Sequence, residues 1–145
     1  MLIRKAERCD LTGLLELYTQ LHNNAMPEQN ERLSAVWDDI LTDKNHYILI
    51  GFIDERPVVS CVLIIVPNLT RSQRPYALIE NVITDRKYRN KGCGTAVLAY
   101  AKDIAAKNNC YKIMLMTSEK QERTLKFYEN NGYNRNDKTA FIQWL

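Results

Sequence analysis

Two stretches of this chain combine residue types and spacing that could do chemistry. The first is Ala77 to Gly94, Ala-Leu-Ile-Glu-Asn-Val-Ile-Thr-Asp-Arg-Lys-Tyr-Arg-Asn-Lys-Gly-Cys-Gly. Its start, Ala77 to Thr84, is apolar and rich in Ile and Val, the composition of a buried strand. Asp85 to Lys91 follows as a charged loop with Arg86, Lys87, Arg89 and Lys91, and Gly92-Cys93-Gly94 opens a helix at Thr95. The first N–H groups of a helix lack intrahelical acceptors, and the positive end of its dipole points the same way. A strand feeding a glycine turn at a helix start therefore makes an anion site. The glycines let an oxyanion approach the backbone, and the basic side chains add charge for a phosphate. A phosphate or pyrophosphate is the expected ligand; the competing reading is a solvated basic turn before an ordinary helix.

The spacing narrows the ligand. A Walker loop ends in Gly-Lys-Ser/Thr, and here Thr95 follows Gly94 directly. A dinucleotide fingerprint needs a small residue three positions after its second glycine, and that position holds Val97. The pattern present is Arg89-x-x-Gly92-x-Gly94. The second stretch is Thr124-Leu125-Lys126-Phe127-Tyr128-Glu129-Asn130-Asn131-Gly132-Tyr133, a helix carrying a Phe-Tyr pair and ended by Gly132 as its cap. Together, in this order and at this distance, the two stretches resemble the acetyl-coenzyme A loop and the second conserved block of the GNAT superfamily of N-acetyltransferases. The resemblance covers about Tyr47 to Tyr133; the first helices match by element order.

That resemblance implies an acetyl-CoA co-substrate and transfer to an amine. Val82, Ile83 and Thr84 become a strand edge that pairs with the pantetheine arm. Arg89, Asn90, Lys91, Gly92, Cys93, Gly94 and Thr95 become the pyrophosphate loop. Gln121 stands where the family often has Asn and is a further cofactor candidate. Cys93 stands where a larger side chain is common, in a loop that works through its backbone. Tyr128 is implied as the general acid for the leaving thiolate, since its ordinary pKa of about 10 keeps it protonated at neutral pH. As a residue alone, Tyr128 also reads as a core aromatic on an amphipathic helix.

Glu80 sits inside an apolar strand, where an isolated carboxylate is costly. Strand alternation places it on one face with Leu78 and Val82, and Asn81 on the other as a sheet hydrogen-bonder. Glu80 then either points into a cleft, as a base or substrate-orienting group, or pairs with an arginine. A nucleophilic Cys93 is not expected, because direct attack needs no acyl-enzyme. Cys9, Cys61 and Cys110 read as small core residues.

The elements that must position these groups follow from the rest of the chain. Leu2 to Arg4 reads as a strand. Asp10 can cap a helix running to about Leu21. A polar loop from Asn23 to Asn30 precedes a second helix with Leu33, Val36, Trp37, Ile40 and Leu41 on one face. By resemblance, His22 to Asn30 walls the acceptor pocket. Tyr47 to Ile53 and Val58 to Val66 form a hairpin about Asp54-Glu55-Arg56-Pro57. Pro67 to Pro75 is a loop, whose Arg71 and Arg74 read as surface charges or as partners for an acceptor phosphate. The helix from Gly94 ends near Lys107. Tyr111 to Thr117 is a strand buried on both faces. Gln121 to Asn131 is a helix, and Thr139 to Leu145 a final strand.

This is one α/β (α+β) domain over residues 1–145, of the GNAT type: a mixed, mostly antiparallel sheet flanked by about four helices. A net charge of +3 is too small to argue for nucleic acid. No apolar run is long enough for a membrane span, and the charged start is unlike a signal peptide. Four cysteines without C-x-x-C spacing fit reduced thiols and a cytoplasmic location. Two histidines, His22 and His46, lie far apart, so no metal site is expected.

The reading is an acetyl-CoA-dependent N-acetyltransferase acting on a small-molecule primary amine by direct attack in a ternary complex. Glu80-Asn81-Val82, Cys110-Tyr111-Lys112-Ile113 and the Phe127-Tyr128 block look most like the branch containing glucosamine-phosphate N-acetyltransferases, so an amino-sugar phosphate is the alternative acceptor. A coenzyme A-binding module without turnover is a second alternative. A homodimer is common in the superfamily, and an exposed final strand would be a natural pairing edge.

Overall fold

The computed structural model describes residues 1–21 and 25–145. Five strands form one sheet in chain order: β1 (Leu2–Lys5), β2 (His46–Ile53), β3 (Arg56–Val66), β4 (Tyr76–Thr84) and β5 (Ile113–Leu115). The first four pair antiparallel, and β5 runs parallel to β4. A parallel neighbour requires a crossover, which is supplied by helix α3 (Cys93–Lys107). The other main helices are α1 (Leu11–Tyr18), α2 (Glu31–Thr42) and α4 (Glu122–Asn130).

The sheet is covered on both sides. Leu14 of α1 and Trp37 of α2 pack on Ile48, Ile50 and Val62. On the opposite face Val97, Leu98, Ala101 and Ala105 of α3 pack on Leu49, Cys61, Leu63, Ala77 and Ile79. Central strands buried on both faces read as continuous apolar runs, which is why β2 and β3 carry so few polar residues. The β2–β3 hairpin closes through Asp54 and Glu55 alone, both at positive φ (48° and 59°), the backbone of a type I′ turn.

Several expectations are corrected. Asp10 stands at the N-cap of α1, as expected, but its side chain makes no cap bond there; the carboxylate accepts the Glu7 N–H and pairs with Arg4, closing the short turn before the helix. The helix itself ends at Tyr18, short of Leu21. Val36 is exposed on α2. Cys9 is exposed as well, while Cys61 is buried and Cys110 half-buried. Within Pro67 to Pro75, Thr70–Gln73 makes a single turn with Arg71 and Ser72 at left-handed φ (56° and 57°). The strand expected over Tyr111 to Thr117 shrinks to three half-buried residues. Among the described residues it pairs only with β4, as far as Leu115.

The final strand is absent. Thr139 to Leu145 has no regular structure and pairs with no other strand among the described residues. Phe141, Ile142, Trp144 and Leu145 are all exposed. A strand is stabilised by its neighbour, and apolar composition alone cannot supply one.

Candidate active site

The site begins with a defect in β4. Ser60 pairs with Ile83 and Val62 with Glu80, so Asn81 and Val82 together oppose the single residue Cys61. This is a β-bulge, and Asn81 within it takes a left-handed conformation (φ 49°). The inserted residue breaks strict alternation. Glu80, opposite Val62, lies on the α1–α2 side of the sheet, while Val82 packs into the α3-side core. Glu80 and Val82 therefore do not share a face, contrary to the simple period-two reading. β4 also parts from β5 at this point: their pairing stops at Ile79 and Leu115. A cleft of about 930 Å³ opens between the two strands.

The loop after β4 is anchored before it reaches the helix. Asp85 is 4% exposed. Its carboxylate accepts the Lys87 N–H at 2.8 Å and the Gln20 carboxamide N–H at 3.2 Å, and pairs with Arg56 at 3.5 Å. Burial pushes the Asp85 pKa up, but these hydrogen bonds and the charges of Arg56 and Lys87 outweigh it, so the group titrates below its ordinary value. Gln20 also accepts the Arg86 N–H at 3.0 Å, tying the end of α1 to the loop. Arg89 donates through Nε to the Thr84 carbonyl at 3.1 Å, folding the loop back on β4.

Gly92 then turns the chain into α3 at φ 80°. The first helical bond runs from Ala96 N–H to Gly92 C=O at 3.0 Å, so the N–H groups of Cys93, Gly94 and Thr95 have no acceptor inside the helix. At Gly94 three elements converge. A Cβ there would stand 3.0 Å from Phe127 Cζ and 3.4 Å from Thr84 Oγ1. The close approach sets Phe127, and with it Tyr128, against the loop.

Tyr128 sits in α4, edge-on to Phe127 (5.1 Å between centroids) and Tyr133 (6.1 Å). Gly132, at φ 88°, closes the helix as expected, with Tyr133 N–H on the Tyr128 carbonyl at 3.1 Å. Burial raises the Tyr128 pKa above 10, and the neighbouring Cys61 and Glu80 raise it further. The phenol is thus held in its protonated, donor form.

Every candidate residue except Lys91 lines the cleft: Glu80, Val82, Ile83, Thr84, Arg89, Asn90, Gly92, Cys93, Gly94, Thr95, Gln121 and Tyr128. The Lys91 ammonium lies instead over the Tyr88 ring at 5.1 Å. The Cys93 side chain, 4% exposed, belongs to the core, which leaves its backbone to face the cleft. Of the acceptor-wall stretch His22 to Asn30, residues 22–24 lie outside the described residues and Ala25 to Asn30 is exposed. Gln20 and Leu21, just before it, line the cleft. Arg71 and Arg74 do not line it. Arg74 is hydrogen-bonded to the Asn109 and Cys110 carbonyls at 3.2 and 3.1 Å.

Residues missed from sequence also line the cleft. Met116 to Glu119 follow β5, Arg123 stands in the first turn of α4, and Ile142 and Trp144 come from the tail. Only Arg123, beside Gln121 at a helix start, carried a local signal that would have found it.

Comparison with known proteins agrees with this geometry. Residues 2–133 match the model of the acetyltransferase (GNAT) family. The chain is 33% identical to glucosamine 6-phosphate N-acetyltransferase of Trypanosoma brucei brucei over 141 residues, covering 94% of this chain and 90% of the relative. The structure of an Agrobacterium tumefaciens protein superposes with a TM-score of 0.92 at 37% identity, over 99% of this chain and 100% of that one. Glucosamine-6-phosphate N-acetyltransferase of Arabidopsis thaliana shares the fold with a TM-score of 0.86 at 24% identity, over 99% and 97%.

Proposed function

The chain belongs to the acetyltransferase (GNAT) family, and from that premise we propose that it moves the acetyl group of acetyl-CoA to the primary amine of a small-molecule acceptor, by direct attack in a ternary complex. The observation that carries the reading is the meeting of three parts in one cleft: the open edge of β4, the unpaired N–H groups at the start of α3, and Tyr128 of α4.

The residues suit the cofactor. The N–H groups of Cys93, Gly94 and Thr95, with Arg89 beside them, would hold the pyrophosphate. No side chain stands at Gly92 or Gly94 to keep an anion off the backbone, and at Gly94 a Cβ would crowd Phe127. Val82, Ile83 and Thr84 offer the edge of a strand to the pantetheine arm, in the manner of an added strand. The bound thioester supplies an activated acetyl group and a thiolate leaving group.

The chain's own groups then do the following. Glu80 takes a proton from the acceptor ammonium, directly or through water, so that the nitrogen carries a free lone pair. A β4 backbone N–H beside the bulge polarises the thioester carbonyl. As the new C–N bond forms and the C–S bond breaks, Tyr128 gives its proton to the departing sulfur. The second proton of the attacking nitrogen leaves as the amide forms and restores Tyr128 through water, and the Glu80 proton is released to solvent. Burial, by raising the Tyr128 pKa, keeps that proton in place until the sulfur needs it.

One observation favours a specific acceptor. The 33% identical relative is a glucosamine 6-phosphate N-acetyltransferase, which supports an amino-sugar phosphate as a second reading. A homodimer is also part of the proposal. Four large apolar side chains exposed within the last five residues are better covered by a second copy than by water. The test is acetyl-CoA calorimetry beside thiol release across a panel of amines that includes glucosamine-6-phosphate. Binding with turnover on one amine is the expected result. Binding without turnover on any amine would favour a coenzyme A-binding module, and no binding would end the proposal.

A further inference from the structure

Four charged side chains line the cleft among the described residues: Glu80, Arg89, Glu119 and Arg123. Arg89 belongs to the loop. Arg123 comes from the opposite wall, in the first turn of α4, and reaches across. Its Nη2 donates to Asn90 Oδ1 at 2.6 Å. Asn90 is itself held at φ 60° one residue after Arg89, so its carboxamide presents a fixed acceptor at the lip of the loop.

Arg123 has no carboxylate partner among the described residues. Its neighbour Glu122 does not neutralise it, because that carboxylate is engaged by Arg135 at 3.1 and 3.2 Å. Arg135 also takes Glu129 at 3.0 Å. An arginine presents five N–H donors in a planar fork, and the bond to Asn90 occupies one. Arg123 lines the same cleft as Cys93, Gly94 and Thr95, whose N–H groups have no acceptor within the helix. That arrangement adds a cationic side chain from the α4 wall, where only the uncharged Gln121 was expected to meet the cofactor.

We infer that Arg123 is a cofactor-binding residue that clamps the diphosphate of acetyl-CoA from the α4 side, with Asn90 orienting it. The inference rests on the acetyl-CoA reading above. A guanidinium fork on a phosphate is strong and directional, so its loss shows in affinity; because Arg123 stands at the loop and not at the reacting carbonyl, turnover at saturation is unaffected.

The test is steady-state kinetics of Arg123→Ala and Arg123→Lys with three acetyl donors: acetyl-CoA, its 3′-dephospho form, and S-acetylpantetheine, which carries no phosphate. Arg123→Ala should raise KM for acetyl-CoA about 10- to 30-fold with kcat within about twofold, and Arg123→Lys should recover part of the loss. The same factor should persist with the 3′-dephospho donor and vanish with S-acetylpantetheine. A loss confined to full acetyl-CoA would overturn the diphosphate assignment in favour of the 3′-phosphate. A loss that persists with S-acetylpantetheine would show a merely structural role, as would a lowered melting temperature. An unchanged KM in Arg123→Ala overturns the inference. Wild-type protein that fails to bind acetyl-CoA at all would instead overturn the functional reading beneath it.

Discussion

Replacing Gly92 with alanine tests the anion loop at its most constrained point. Gly92 holds φ 80°, and a Cβ built there meets nothing within 4 Å among the described residues. Any cost is therefore backbone strain and not collision. A non-glycine residue in the left-handed region costs about 1–2 kcal/mol. The same change removes freedom from the unfolded chain, which offsets about 0.4–1 kcal/mol. The net loss is about 1 kcal/mol, a fall in melting temperature of roughly 2–4 °C for a chain of this size. Gly132 makes an internal control. It has φ 88° and the same open space, but it caps α4 and does not line the cleft. Gly132→Ala should lose the same stability. Relief of the strain at residue 92 would turn the N–H groups of the loop away from a phosphate, so only Gly92→Ala should also weaken acetyl-CoA, by about tenfold. The assays are thermal unfolding and calorimetry on both variants. The reasoning fails if Gly92→Ala is as stable as the parent or more so, since a glycine with ordinary φ gains stability from alanine. It also fails if the two variants bind acetyl-CoA alike.

Further outcomes follow from the same geometry. Tyr128→Phe should lower kcat by about 100-fold while KM for acetyl-CoA stays within about twofold; an unchanged kcat would remove Tyr128 as the acid. Because burial raises the Tyr128 pKa, any alkaline decline of the wild-type rate from this group should have its midpoint above pH 10. Glu80→Gln should be slow at neutral pH and recover toward alkaline pH, where more of the acceptor amine is already neutral; a flat profile would count against Glu80 as the base. Asp85 titrates below its ordinary 3.8, so its stabilising contribution is complete above about pH 4 and is lost as pH falls through the lower folded value. The melting-temperature gap between wild type and Asp85→Asn should accordingly be constant near neutrality and narrow in acid; a gap independent of pH would refute the role given to its partners. Removing residues 139–145 should convert a dimer to a monomer in light scattering, and a monomeric wild type would remove the dimer.

What the chain's order of residues determined alone is local. Ala77 to Thr84 is a strand because its residues are apolar and branched. The turn at Gly92 and the cap at Gly132 need a positive φ that glycine adopts without strain. The start of α3 leaves N–H groups unpaired wherever it is placed, so the candidate anion loop was legible in one stretch. Tertiary structure decided whatever depends on a distant partner. The bulge at Asn81 arises in the pairing of β4 with β3, and it turned Val82 away from the face of Glu80. The contact of Gln20 with Asp85 spans 65 residues, and that of Arg123 with Asn90 spans 33. Thr139 to Leu145 is apolar enough to read as a strand but finds no edge to pair with among the described residues. A turn or a helix start closes its own hydrogen bonds with nearby residues, whereas a strand edge or a cleft wall exists only once another part of the chain has arrived beside it.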